Sequence, residues 1–166
     1  MSDLHLEFGN PIEPGEGDVL ILAGDICVAS DLGTGSDTDL LAQTFFKSCV
    51  KGFNRVYYVM GNHEHYQGVW EKTEEKLRAA LPVGITLLNN QSDLYKGVHF
   101  VGTTLWSDFR NADMNTMNYA KSAMNDFHSI MKMDYNLLDP KDTLREHDYS
   151  VQWLKQALPM LRGEVV

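Results

Sequence analysis

The chain is short of cysteine, of positive charge and of long apolar runs, and each shortage removes a class of protein. Only two cysteines occur, Cys27 and Cys49. Neither has a partner at CxxC or zinc-ribbon spacing, so a disulfide scaffold and a thiolate zinc module are excluded and reduced thiols are expected. Fourteen basic residues stand against twenty-three acidic ones, a formal charge of -9. That balance repels a phosphate backbone or an anionic membrane unless bound cations reverse the field locally, so general nucleic-acid and membrane binding are not expected. No apolar run approaches the ~18 residues that would span a bilayer. The opening MSDLHLEFGNPIEPGEGD has neither the basic start nor the apolar core of a signal peptide. A soluble, cytoplasmic protein is therefore the expectation. The 166 residues, 43% of them hydrophobic, suffice for one compact domain with a real core, spanning 1–166.

Two short apolar runs dominate the first half, DVLILAGD at Asp18 to Asp25 and RVYYVMGN at Arg55 to Asn62. Both are apolar without alternation and end in glycine followed by a polar residue, as expected of interior strands covered on both faces. Between them DTDLLAQTFFKSCVKG places Leu40, Leu41, Thr44, Phe45 and Cys49 near helical spacing, with Asp37 or Thr38 as the N-cap. VWEKTEEKLRAAL then reads as a helix stopped by Pro82, ITLL as a strand, and SDLYKG turning into VHFVGTTLW as a hairpin. Asn111 to Asn136 is polar and methionine-rich, with a helical period through Met114, Met117, Ala120, Met124 and Phe127, and reads as an inserted helical or lid-like segment. Asp139 caps a last helix that starts at Pro140, carries Leu144, Val151, Leu154 and Leu158 on one face and ends near Pro159.

Alternating strands and helices imply an α/β layered fold, in which ligands collect beyond the carboxyl ends of the strands. Three polar clusters lie where that rule looks: Asp3-Leu4-His5, Gly24-Asp25 and Gly61-Asn62-His63-Glu64-His65. Each alone has an ordinary explanation as a turn or cap. Together Asp3, His5, Asp25 and Asn62 offer carboxylates, an imidazole and an amide oxygen, a set suited to Mn²⁺, Fe or Zn²⁺. In extended backbone Asp3 and His5, two residues apart, point the same way and can clasp one ion. No GxxxxGK[ST] or GxGxxG follows either strand, so a nucleotide-binding domain lacks its signature.

SDLH, then GD after VLIL, then GNHE after a second strand resemble the first three signature blocks of the calcineurin-like metallophosphoesterases, whose pattern is DxH, GD, GNH[ED], a lone His and GHxH. The resemblance implies an α/β/β/α sandwich and hydrolysis of a phosphomonoester or phosphodiester at two divalent metal ions, Mn²⁺ foremost, with Fe or Zn²⁺ as alternatives. It implies Asp3 and His5 on the first ion, Asp25 bridging both, Asn62 on the second, and His63 as a catalytic group just outside them. The partner it implies is a small phosphate ester. Glu64, His65, His99, His128 and His147 are expected to shape loops or line the rim.

The pattern is incomplete. Only Met1 and Ser2 precede Asp3, the chain stops at RGEVV where a strand would carry the lone His, and no GHxH occurs. A clipped portion of a longer enzyme, a natural truncated product and a chain completed by a partner are the competing accounts, and the favoured expectation is a metallophosphoesterase domain incomplete at both ends. The alternative function is a non-catalytic fragment that keeps a partial metal or phosphate pocket. Oligomeric state is not legible.

Overall fold

The structure, a computed structural model, describes residues 1–166. Strand β1 (Gly17–Ala23) leads through helix α1 (Asp37–Gly52) into β2 (Phe53–Val59), and helix α2 (Thr73–Ala80) leads into β3 (Ile85–Leu87). These three strands form one parallel sheet in the order β1-β2-β3, with Ala23 opposite Val59 at its carboxyl end. A second sheet holds β4 (Gln91–Tyr95), β5 (Val98–Gly102) and β6 (Glu164–Val165), with β4 antiparallel and β6 parallel to β5. Lys96 and Gly97, both left-handed, close the β4–β5 hairpin. Between β5 and β6 lie the left-handed turn α3 (Phe109–Ala112) and the helices α4 (Met114–Ala123), α5 (Asp126–Ser129) and α6 (Pro140–Ala157).

Both faces of the parallel sheet are covered, which explains its uninterrupted apolar runs. Leu20, Leu22, Val56 and Tyr58 face α1 and α2, packing with Phe45, Phe46, Cys49 and Leu77 in the main core. Tyr57 faces the second sheet and stacks on Phe100 at 4.4 Å between ring centroids. A third cluster, Phe109, Met117, Ala120, Phe127, Ile130 and Leu138, binds the helical segment together beside Tyr66 and Trp70.

Local details depart from the sequence pattern. The cap of α1 is Ser36, whose hydroxyl accepts the Asp39 N–H, and Leu40 is exposed, the buried stripe being Ala42, Phe45, Phe46 and Cys49. Helix α2 begins only at Thr73, after a single 3-10 turn at Trp70–Lys72. Asp139 caps α6 as expected, in a capping box with Asp142. On that helix Thr143 and Ser150 are the deeply buried residues, while Leu158 is exposed.

The residues before β1 extend the sheet. The Ala23 N–H donates to Met1 O, the Asp3 N–H to Gly24 O, the His5 N–H to Asp25 O and the Leu6 N–H to Ile26 O. Asp3 and His5 are nevertheless left-handed, with φ of 53° and 48°. The extended clasp expected of them is therefore not formed, and what places them is the ladder along residues 23–26.

Candidate metal centre

The turns after β1 and β2 meet at a distance only glycine permits. A Cβ on Gly24 would lie 3.0 Å from the Gly61 backbone, and one on Gly61 would lie 2.2 Å from Asp25 Oδ1. Gly24 is also left-handed, with φ of 87°. This contact brings Asp25 and Asn62 to one edge of the sheet. Asp25 Oδ1 then accepts the His63 N–H at 2.9 Å.

Glu64 locks the two turns together. It is 1% exposed, and its carboxylate accepts the N–H groups of Asp25 (3.1 Å), Ile26 (2.8 Å) and Gly61 (2.6 Å) and the Tyr58 hydroxyl (2.7 Å). Burial raises its pKa, while the Ile26 N–H, the Tyr58 hydroxyl and the Gly61 N–H pull the other way. Glu64 thus shapes the loop, from the interior and not from the rim. His65 is buried as well, stacked on Trp70 at 4.5 Å, and burial lowers its pKa to about 4. Its Nδ1 has no hydrogen-bond partner.

Within this frame His5, Asp25 and His63 present ligand-capable atoms all within 4.8 Å of one another. The imidazoles meet edge to face at 4.3 Å, and the Nδ1 atoms of His5 and His63 lie 3.1 and 2.8 Å from the same oxygen, Glu7 Oε1. Glu7 Oε2 is buried without a partner. Asp3 is exposed and outside this group, and His63, expected beyond the ligands, is inside it. Asn62 is held from the opposite side: its Nδ2 donates to Asp126 Oδ1 at 2.6 Å. His99 lies on β5, His128 on α5, and His147 on α6 beside Leu105 O, all outside the cluster.

The donors fit a divalent cation. Asp25 and His5 converge with His63 beside them, and His5 Nδ1 lies against the Glu7 carboxylate, the arrangement that orients a metal-ligating histidine. The second Glu7 oxygen, Oε2, is buried with no hydrogen-bond partner, an unpaired acceptor behind the two imidazoles.

A family model described as calcineurin-like phosphoesterase matches residues 2–160. The chain belongs to the calcineurin-like phosphoesterase family. Among relatives of this calcineurin-like phosphoesterase is Uncharacterized protein L509 of Acanthamoeba polyphaga mimivirus, 28% identical over 160 residues, which cover 83% of this chain and 53% of that one. A similar solved structure is the phosphopantetheinyl hydrolase PptH of Mycobacterium tuberculosis, with a TM-score of 0.57, 18% identity and coverage of 98% of this chain and 62% of that chain. At that identity the likeness establishes the fold. The chain spans about half the length of the curated relative it matches. No helix is long and apolar enough to cross a membrane.

Sequence reasoning missed Glu7, Tyr66 and Asp126. Glu7 continues the alternation of Asp3 and His5 and was within reach of the motif. Asp126 lies sixty-four positions from Asn62, and no local pattern links them.

Proposed function

We propose that this chain hydrolyses a phosphate ester, mono- or di-, at a pair of divalent cations, Mn²⁺ foremost and Fe or Zn²⁺ as alternatives. The observation that carries this reading is the convergence of His5, Asp25 and His63 at the ends of β1 and β2 with Glu7 behind both imidazoles. Asp3, His5, Asp25 and Asn62 would hold the ions. The chemistry that such ions supply when bound is neutralisation of phosphoryl charge and a lowered pKa for an attacking water.

The chain's own groups do the rest. With Nδ1 against Glu7, His63 keeps Nε2 free to hold a proton for the leaving oxygen, and the Tyr66 ring stacked on it at 4.2 Å limits its rotation. A cleft of about 290 Å³ opens beside Asn62, lined by Trp106, Phe109, Met124 and Phe127. It suits the apolar part of the ester's alcohol, and Met124 and Phe127 of the helical segment on its wall support a lid-like role for that segment. The substrate is a small molecule, since the charge of -9 disfavours a polyanion.

Hydrolysis of an aryl phosphate ester in Mn²⁺ tests the reading. Asp25→Ala should abolish both turnover and metal binding, whereas His63→Ala should lower turnover about 10²- to 10⁴-fold with metal retained. Equal metal loss in both variants would make His63 a ligand. Mn²⁺ binding without turnover would favour the second reading, a binding module with a partial pocket, for which the exposed position of Asp3 outside the cluster speaks.

A further inference from the structure

The centre draws on the helical segment through a single buried side chain. Asp126, 1% exposed at the start of α5, accepts two hydrogen bonds on Oδ1: from Asn62 Nδ2 at 2.6 Å and from the Tyr66 hydroxyl at 2.9 Å. Tyr66 also lies 3.3 Å from Asn62 Nδ2, and its ring stacks on His63. The backbone seats α5 against the loop that follows the GNHEH block. The Gln67 N–H donates to Ser129 O, Trp70 N–H to Met131 O and Met131 N–H to Gly68 O. Phe127 and Ile130 bury the other side.

A carboxylate only accepts hydrogen bonds, so it settles which end of an amide faces it. With Nδ2 turned to Asp126, the carbonyl oxygen of Asn62 is the atom left to offer a cation. A flipped amide would set oxygen against oxygen in a buried place. The same carboxylate holds the Tyr66 hydroxyl and, through the ring, the stack on His63. We propose that Asp126 is a positioning residue of the metal centre: it selects the ligand atom of Asn62 and steadies His63 through Tyr66. This inference rests on the reading of Asn62 as a metal ligand.

Calorimetric titration of the full chain with Mn²⁺ alone, beside thermal melts without metal, provides the test. Asn62→Ala first establishes that Asn62 is a ligand by weakening Mn²⁺ binding. Asp126→Ala should then weaken it about 10- to 100-fold, as loss of an orienting partner does, and the double variant should bind no more weakly than Asn62→Ala. Exchanging the groups, Asn62→Asp with Asp126→Asn, lets the amide at 126 donate to a carboxylate at 62. That swap should restore binding to within about tenfold of the parent, whereas Asn62→Asp alone, with two carboxylates face to face, should not. If Asp126→Ala does not fold, the swap decides the matter: binding no better than that of Asn62→Asp alone overturns the proposal. Parent-like Mn²⁺ binding by folded Asp126→Ala overturns it too. If Asn62→Ala itself binds as the parent does, the ligand reading fails instead, and the positioning role fails with it.

Discussion

The paired turns after β1 and β2 and the helical segment at residues 106–130 reach the same centre by opposite means. The turns are held by short-range necessity: two glycines at van der Waals limits and one carboxylate with four donors. The helical segment arrives from far along the chain and bears strain. Trp106 and the four successive residues Phe109, Arg110, Asn111 and Ala112 are left-handed, a conformation that costs an L-residue about 1–2 kcal/mol. Such strain persists where surrounding contacts over-determine the backbone, and it gathers at functional sites. The comparison teaches that the turns form a rigid floor, while the opposite wall depends on tertiary packing.

The strongest way to break the floor is Glu64→Ala. Three backbone N–H groups and the Tyr58 hydroxyl would lose their acceptor, and the expected loss is about 3–5 kcal/mol in chemical denaturation. A loss below about 1 kcal/mol would show that the turns hold without the cross-link.

His65 joins floor to wall, stacking on Trp70 and lying near Trp106 at 5.9 Å. Its folded pKa is lowered from 6.5 to about 4 by burial, so protonation favours the unfolded chain. Its contribution is fully present above pH 6.5 and is lost as pH falls toward about 4, a share of about 3 kcal/mol. Denaturation of His65→Phe across that window should show a flatter profile than the parent. Parallel profiles would mean that His65 takes up a proton as readily in the folded chain as in the unfolded one.

Gly61→Ala sharpens the comparison at the closest approach. Its Cβ would meet Asp25 Oδ1 at 2.2 Å, so Asp25 or the turn must shift. About 1–3 kcal/mol of destabilisation is expected, together with weakened Mn²⁺ binding in calorimetry.

The smallest effect has the opposite sign and belongs to the wall. Arg110 is exposed and left-handed, with φ of 56°. Arg110→Gly relieves that strain and keeps the N–H that donates to Asp108 Oδ1, for a gain of about 1 kcal/mol after the added unfolded-state entropy of glycine. An unchanged or lowered melting temperature would show that the left-handed turn carries no strain to relieve.

Much of the floor was legible in the residues themselves. Unbroken apolar runs ending in Gly-Asp and Gly-Asn marked two adjacent parallel strands covered on both faces, and Asp139-Pro140 marked the start of α6. These features arise from local chemistry, the alternation, capping and glycine requirements of a few neighbouring residues. The resemblance to the family rests on the same features, whereas register and strand order come from the pairing of the strands in the structure. The joining of Glu7 to both imidazoles, the burial of Glu64 as a cross-link and the reach of Asp126 to Asn62 were decided only by the tertiary structure. Each depends on the distance between residues far apart in the chain, and an isolated acidic side chain reads the same in sequence whether it faces water or a buried donor.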